Sequence, residues 1–206
     1  MAKRFARRFM VASWAAVTLA FGSMGRAQSR DGVRVRGGFS LVAGPTSPRA
    51  AESAGTTALG GSVGLAVRLG LQFMHPVGLY LQSFNGASAV GISSADGSLR
   101  GVAMFQSQNA LLLSFTIAHR LEVAAGPAFD FTRYAGCASE TISCSTGAGF
   151  SPAIHGRTSL HLGSAGAGPG RFGFDLGLDL HQALGSTDEY SRGGTSVLLG
   201  LGLEWH

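Results

Sequence analysis

Charge is scarce in this chain and unevenly placed. Asp, Glu, Lys and Arg make up 13% of the 206 residues, and the single lysine is Lys3. There are only two cysteines, Cys137 and Cys144, and no run of eighteen consecutive apolar residues occurs anywhere. The last absence excludes a membrane-spanning helix, which takes about 20 such residues. The near-absence of lysine argues against a large solvated surface. Hydrophobic residues nevertheless reach 45% of the chain, so a great deal of apolar surface has to be hidden.

The first segment explains most of the net charge. Lys3, Arg4, Arg7 and Arg8 precede an apolar stretch from Phe9 to Phe21, followed by small residues ending at Gly25-Arg26-Ala27. A basic start, a short apolar centre and a small-x-small end are the parts of a secretory signal. Residues 1–27 are therefore expected to be removed, leaving a single domain over 28–206. Five of the 16 basic residues leave with that segment, and the 11 arginines that remain face 11 carboxylates. Nucleic acid is excluded as a partner, because phosphate binding needs surplus cations. Export implies an oxidising compartment, so Cys137 and Cys144 are expected to form a disulfide worth about 2–3 kcal/mol by loop closure.

From Val33 onward the pattern has period 2, the period of a strand. Val33, Val35, Phe39 and Leu41 share one face, with Arg34, Arg36, Gly38 and Ser40 on the other. Seven further runs repeat this, ending with Val197, Leu199, Leu201, Leu203 and Trp205 against Ser196, Gly200, Gly202, Glu204 and His206. Met104, Leu112 and Leu198 fall out of phase, as apolar residues on the polar face. The connections alternate too. Long ones are expected at about Gly44–Ala58, Gly86–Arg100, Thr132–Gly149 and Gln182–Gly194, and short ones near His75-Pro76, Ala118–Arg120 and Gly163–Gly170. Eight strands with long loops on one rim and tight turns on the other is the layout of an antiparallel up-and-down outer-membrane β-barrel, both termini periplasmic.

Alternation alone does not say which face points outward, since soluble barrels also alternate. Here the polar face is mainly Gly, Ala and Ser, which suit a narrow lumen filled by side chains. Glycines spaced along a solvated strand would weaken it. The apolar face is therefore assigned to lipid, and closure follows because no peptide group is left unbonded in hydrocarbon.

This pattern resembles the OmpA/OmpX-like superfamily of eight-stranded outer-membrane barrels, across nearly all of residues 28–206. The final strand, Thr195 to His206, looks like the C-terminal signal read by the barrel-assembly machinery, with Trp205 in the penultimate place. The resemblance implies outer-membrane lipids and lipopolysaccharide as surroundings and a monomer. It implies no cofactor.

Inside the barrel, Arg34, Arg36, Arg68, Glu122, His155, Arg157, His161, Asp175, Asp179 and Glu204 are expected to form a polar network. Glu204 is placed beside Arg34 where the last strand meets the first. Unpaired buried ions cost several kcal/mol, so structural pairing is the plain reading and a gate with exchanging partners the sharper one. Phe172 and Trp205 are expected as interface aromatics. A metal or hydrolytic site fares poorly. His155 and His161 lie roughly 20 Å apart along one strand, and Asp175 and Asp179 about 13 Å apart, wider than the ~5–9.5 Å of a glycosidase pair. Barrels of this size include lipid A deacylases and palmitoyl transferases. The deacylase uses His-x-Ser, which is absent here; the transferase leaves no local motif to check. A narrow passive channel is a third reading. The Gly163–Gly170 segment joins two strands with no helix to follow, so it is a turn and not a phosphate loop.

Overall fold

The computed structural model describes residues 32–48, 57–74, 76–93, 99–117, 120–137, 144–163, 172–184 and 194–205. The expected signal segment and most connections lie outside them. The strands are β1 (Arg34–Pro48), β2 (Thr57–Met74), β3 (Val77–Ser93), β4 (Leu99–Ile117), β5 (Leu121–Cys137), β6 (Cys144–Leu162), β7 (Phe172–Ala183) and β8 (Gly194–Trp205). Each pairs antiparallel with its neighbours in sequence, and β8 closes onto β1. No described helix is long and apolar enough to cross a membrane, which says nothing of strands that do.

The alternation becomes an inside and an outside. Leu41 is 70% exposed and Leu201 58%, while Asp175, Glu204, Arg36 and Arg157 are almost wholly buried. The polar face lines the interior, and the apolar face is the outer wall. Met104, Leu112 and Leu198 point inward, as their phase requires. Leu198 joins Val42, Ala66 and Phe84 in one small apolar cluster, and Leu112 packs with Tyr80 and alanines in another.

The strands run further than the apolar pattern suggested. Residues Gly86–Arg100, expected as a connection, are instead the end of β3 and the start of β4, with only 94–98 between the strands. In the same way β5 reaches Cys137 and β6 begins at Cys144. The outer positions in these extensions are small, such as Ala87, Ala89, Gly101 and Ala103. The hydrogen-bond ladder continues where the greasy signal fades.

Prolines mark the breaks in the ladder. The β1–β8 register skips Gly44 and Pro45 while β1–β2 pairing runs through them. The β4–β5 register skips Gly126 and Pro127, although Pro127 still sits opposite Ile154 of β6. A residue without an N–H is tolerated where one of its two neighbours does not need it.

Two expectations at the strand ends are corrected. β8 stops at Trp205 opposite Gly37, so Arg34 projects past the end of its neighbour and is exposed instead of lining the lumen. Trp205 is only 7% exposed. Its indole lies across Gly37, where any Cβ would strike the ring, so it covers a glycine instead of standing out as an interface aromatic. The Phe172 side chain lies outside the described residues.

Candidate functional site

The interior side chains converge because all eight strands turn long polar groups toward one narrow axis. Arg36 on β1 reaches across the barrel: its Nη1 lies 3.0 Å from Glu122 Oε2 on β5 and its Nη2 3.1 Å from Glu204 Oε1 on β8. Nη1 also donates to Gln72 Oε1 at 3.0 Å. Its guanidinium lies 5.4 Å from the centre of the Tyr80 ring, within cation–π range. The Tyr80 hydroxyl donates to Glu122 Oε2 at 2.9 Å. Arg36 therefore takes the place expected for Arg34 beside Glu204.

Asp175 on β7 is the hub. Arg68 Nη2 on β2 donates to its Oδ2 at 2.7 Å, and Arg157 Nη2 on β6 donates to the same oxygen. The second Arg157 nitrogen, Nη1, reaches Asp179 Oδ2 at 2.6 Å. Asp175 and Asp179, too far apart for a catalytic pair, are joined by one guanidinium. Gly177 lies between them, and a Cβ there would occupy the space of that guanidinium. Its lack of a side chain is what lets Arg157 lie against β7.

His161 Nδ1 sits 2.9 Å from Glu204 Oε2 and 3.7 Å from Asp175 Oδ1. Further along, His155 Nε2 is 2.9 Å from Asp179 Oδ1, and Gln82 Nε2 on β3 donates to the same oxygen at 2.8 Å. His155 Nδ1 faces His181 Nδ1 at 3.1 Å, and His181 Nε2 is 2.7 Å from Asp130 Oδ2 on β5. The two histidines thus serve different carboxylates from His161. Among the described interior residues, three arginines oppose five carboxylates.

His161, Asp175 and Glu204 each offer one ligand atom, all within 4.8 Å of one another. The donor types suit a metal ion. The electrostatics do not, since Arg68 and Arg157 already hold Asp175 and Arg36 holds Glu204. A cation there would compete with three guanidiniums.

Asp130, His181, Tyr80 and Gln82 were not foreseen as members of this network. His181 follows Asp179 by two residues, and Asp130 shares the parity of Glu122, so phase alone would have included both. Tyr80 and Gln82 share an inward row too, but nothing in a sequence says which far strand they meet. Beyond the Asp130–His181 pair, toward the long connections, the described interior side chains are neutral. Thr46 and Ser196 hydroxyls meet at 3.0 Å, and those of Ser62 and Ser88 at 2.6 Å, beside Gln106 and Gln108. Cys137 and Cys144 stand directly opposite each other at the ends of β5 and β6; their side chains lie outside the described residues.

No family model matches the chain, and neither does any curated protein. Among solved structures the barrel is similar to Ail, the attachment invasion locus protein of Yersinia pestis, with TM-score 0.51 and 11% identity, over 82% of this chain and 99% of that one. Ail in complex with the heparin analogue sucrose octasulfate matches with TM-score 0.50 and 12% identity, over 82% and 99%. OprG, an outer membrane protein from Pseudomonas aeruginosa, gives TM-score 0.47 and 14% identity, over 84% and 94%. The closed eight-stranded all-antiparallel barrel read from the alternation is the fold that Ail has. At these identities the likeness concerns fold alone.

Proposed function

We propose that this chain is a bacterial outer-membrane protein whose barrel is closed to ions by its own side chains and whose role is structural or surface-interactive, not enzymatic. The observation that carries this reading is a pair of diagonals. Arg36 to Glu122 joins β1 to β5 at 3.0 Å, and Gln82 to Asp179 joins β3 to β7 at 2.8 Å. In an eight-stranded barrel both contacts join opposite walls, so the lumen is crossed twice. An outer wall of exposed Leu and Phe supports placement in lipid, where a closed barrel satisfies every backbone group.

In this reading residues 1–27 direct export, the barrel-assembly machinery inserts the strands, and lipopolysaccharide and other outer-membrane lipids surround the wall. Cys137 and Cys144 form a disulfide, their cross-strand register being compatible with one. The long connections carry any contact with another surface. The fold shared with an attachment protein is compatible with that.

Outer-membrane fractionation with heat-modifiable migration in mild detergent gels tests the placement. Recovery of the unheated, fast-migrating form in that fraction is expected; a soluble folded protein would contradict it. Lipid A acyl composition in a deletion strain tests the non-enzymatic role. An unchanged profile is expected, and a missing or extra acyl chain would make the protein a lipid-modifying enzyme.

A further inference from the structure

We infer that the outer face of β3 and β4 is a self-association surface, where a second copy of this chain docks through a hydrogen-bonded polar patch set within the apolar wall. The inference rests on the lipid-facing orientation proposed above. Ser83, Asn85, Ser107 and Asn109 occupy outward positions, in phase with Leu81 and Leu111. Ser83 Oγ donates to Asn109 Oδ1 at 2.9 Å, Asn85 Nδ2 donates to Ser83 Oγ at 3.1 Å, and Asn109 Nδ2 donates to Ser107 Oγ at 3.2 Å.

Apolar side chains enclose this patch. Val67 and Leu65 lie opposite Ser83 and Asn85 on β2, and Phe129 and Phe131 lie opposite Asn109 and Ser107 on β5. Leu81 and Leu111 flank it on one side, Ala87 and Phe105 on the other. Its depth is therefore that of the hydrocarbon, away from lipid headgroups.

The internal bonds leave hydrogen-bonding capacity over. Each asparagine keeps a second N–H, Ser107 keeps its hydroxyl proton and Asn85 keeps its carbonyl oxygen. Lipid tails offer neither donor nor acceptor, whereas a protein surface at the same depth offers both. A patch with donors and acceptors side by side complements itself across a two-fold axis, the commonest symmetry of an oligomer. Ala87, Ala89 and Gly91 on β3 and Gly101 and Ala103 on β4 continue the face with small groups, which lets two backbones approach closely. The opposite wall presents Leu41, Leu176, Leu180, Leu199 and Leu201. It suits lipid. A dimer through β3 and β4 takes the place of the monomer expected from the sequence.

Sedimentation equilibrium of the full barrel in neutrally buoyant micelles, with native mass spectrometry, tests this. The unmodified protein should reach the mass of two chains as its density per micelle rises. The double variant N85L/N109L, folded as judged by heat-modifiable migration, should dissociate about tenfold more readily, two hydrogen bonds being lost on each copy. Ala87→Trp should weaken the dimer by crowding, and Leu201→Trp on the opposite wall should leave it unchanged. A single-chain mass at every density overturns the inference, as does a dimer indifferent to N85L/N109L. A single chain carrying a lipid that the double variant loses would assign the patch to lipid and overturn it too. Folding in plain buffer would remove the lipid-facing orientation itself, and the docking surface with it.

Discussion

The two halves of the barrel interior solve the same packing problem in different ways. Toward the short turns, contacts cross the lumen: Arg36 meets Glu122, Arg68 meets Asp175, and Gln82 meets Asp179, each joining strands that are not neighbours. Toward the long connections, hydroxyl pairs tie only adjacent strands, Thr46 with Ser196 across β1 and β8 and Ser62 with Ser88 across β2 and β3. The first half is braced through its centre; the last such contact is His181 of β7 with Asp130 of β5, beside Ser196 and Gln108, and beyond it the described hydroxyls only line the wall. Long charged side chains reach an opposite wall and then need a partner there, because a buried ion left alone is costly. Short hydroxyls do neither. In the proposed reading, closure belongs to the charged half.

Substitutions in the two halves should differ accordingly, as measured by reversible denaturant unfolding in lipid vesicles. Asp175→Ala should have the largest effect, about 3–5 kcal/mol, because it takes the ion-pair partner from the buried Arg68 and leaves Arg157 with Asp179 alone. Leu178→Arg, on the outer wall of the same strand, should cost ~2–4 kcal/mol if it lies near the bilayer midplane. No cost there would mean that this face does not meet lipid. Cys137→Ser, at the far end of the lined half, should remove about 2–3 kcal/mol under oxidising conditions and almost nothing after reduction. Thr46→Val should be the mildest, within about 1 kcal/mol, because it deletes a single hydroxyl pair. If Thr46→Val proved as damaging as Asp175→Ala, the distinction between braced and lined halves would fail.

How much of this was legible in the sequence depends on which constraint wrote it. A wall facing lipid, as proposed, takes an apolar group at every second residue, so strand number, order and facing could be read from the run of Leu and Phe alone. Even the out-of-phase Leu112 and Leu198 were correctly placed by parity, and both face inward. Partnerships across the lumen were not legible, because they depend on register and shear. Parity put Arg34 and Arg36 on one face without choosing between them. The choice came from β8 ending opposite Gly37, with Gly38 opposite Glu204, which leaves Arg34 beyond the rim. Strand ends were hidden for a related reason: the ladder outlasts the apolar pattern in stretches such as Ala87–Gly91. Trp205 misled because an aromatic near a strand end suits either an interface or a bare glycine, and only the register shows Gly37 beside it.

Single-channel conductance in planar bilayers tests closure of the charged half most directly. The unmodified barrel should carry no resolvable current, whereas the double variant R36A/E122A, which removes one diagonal and leaves Glu204 with His161, should open to small ions. Steady conductance from the unmodified protein, unaltered in that variant, would contradict the account.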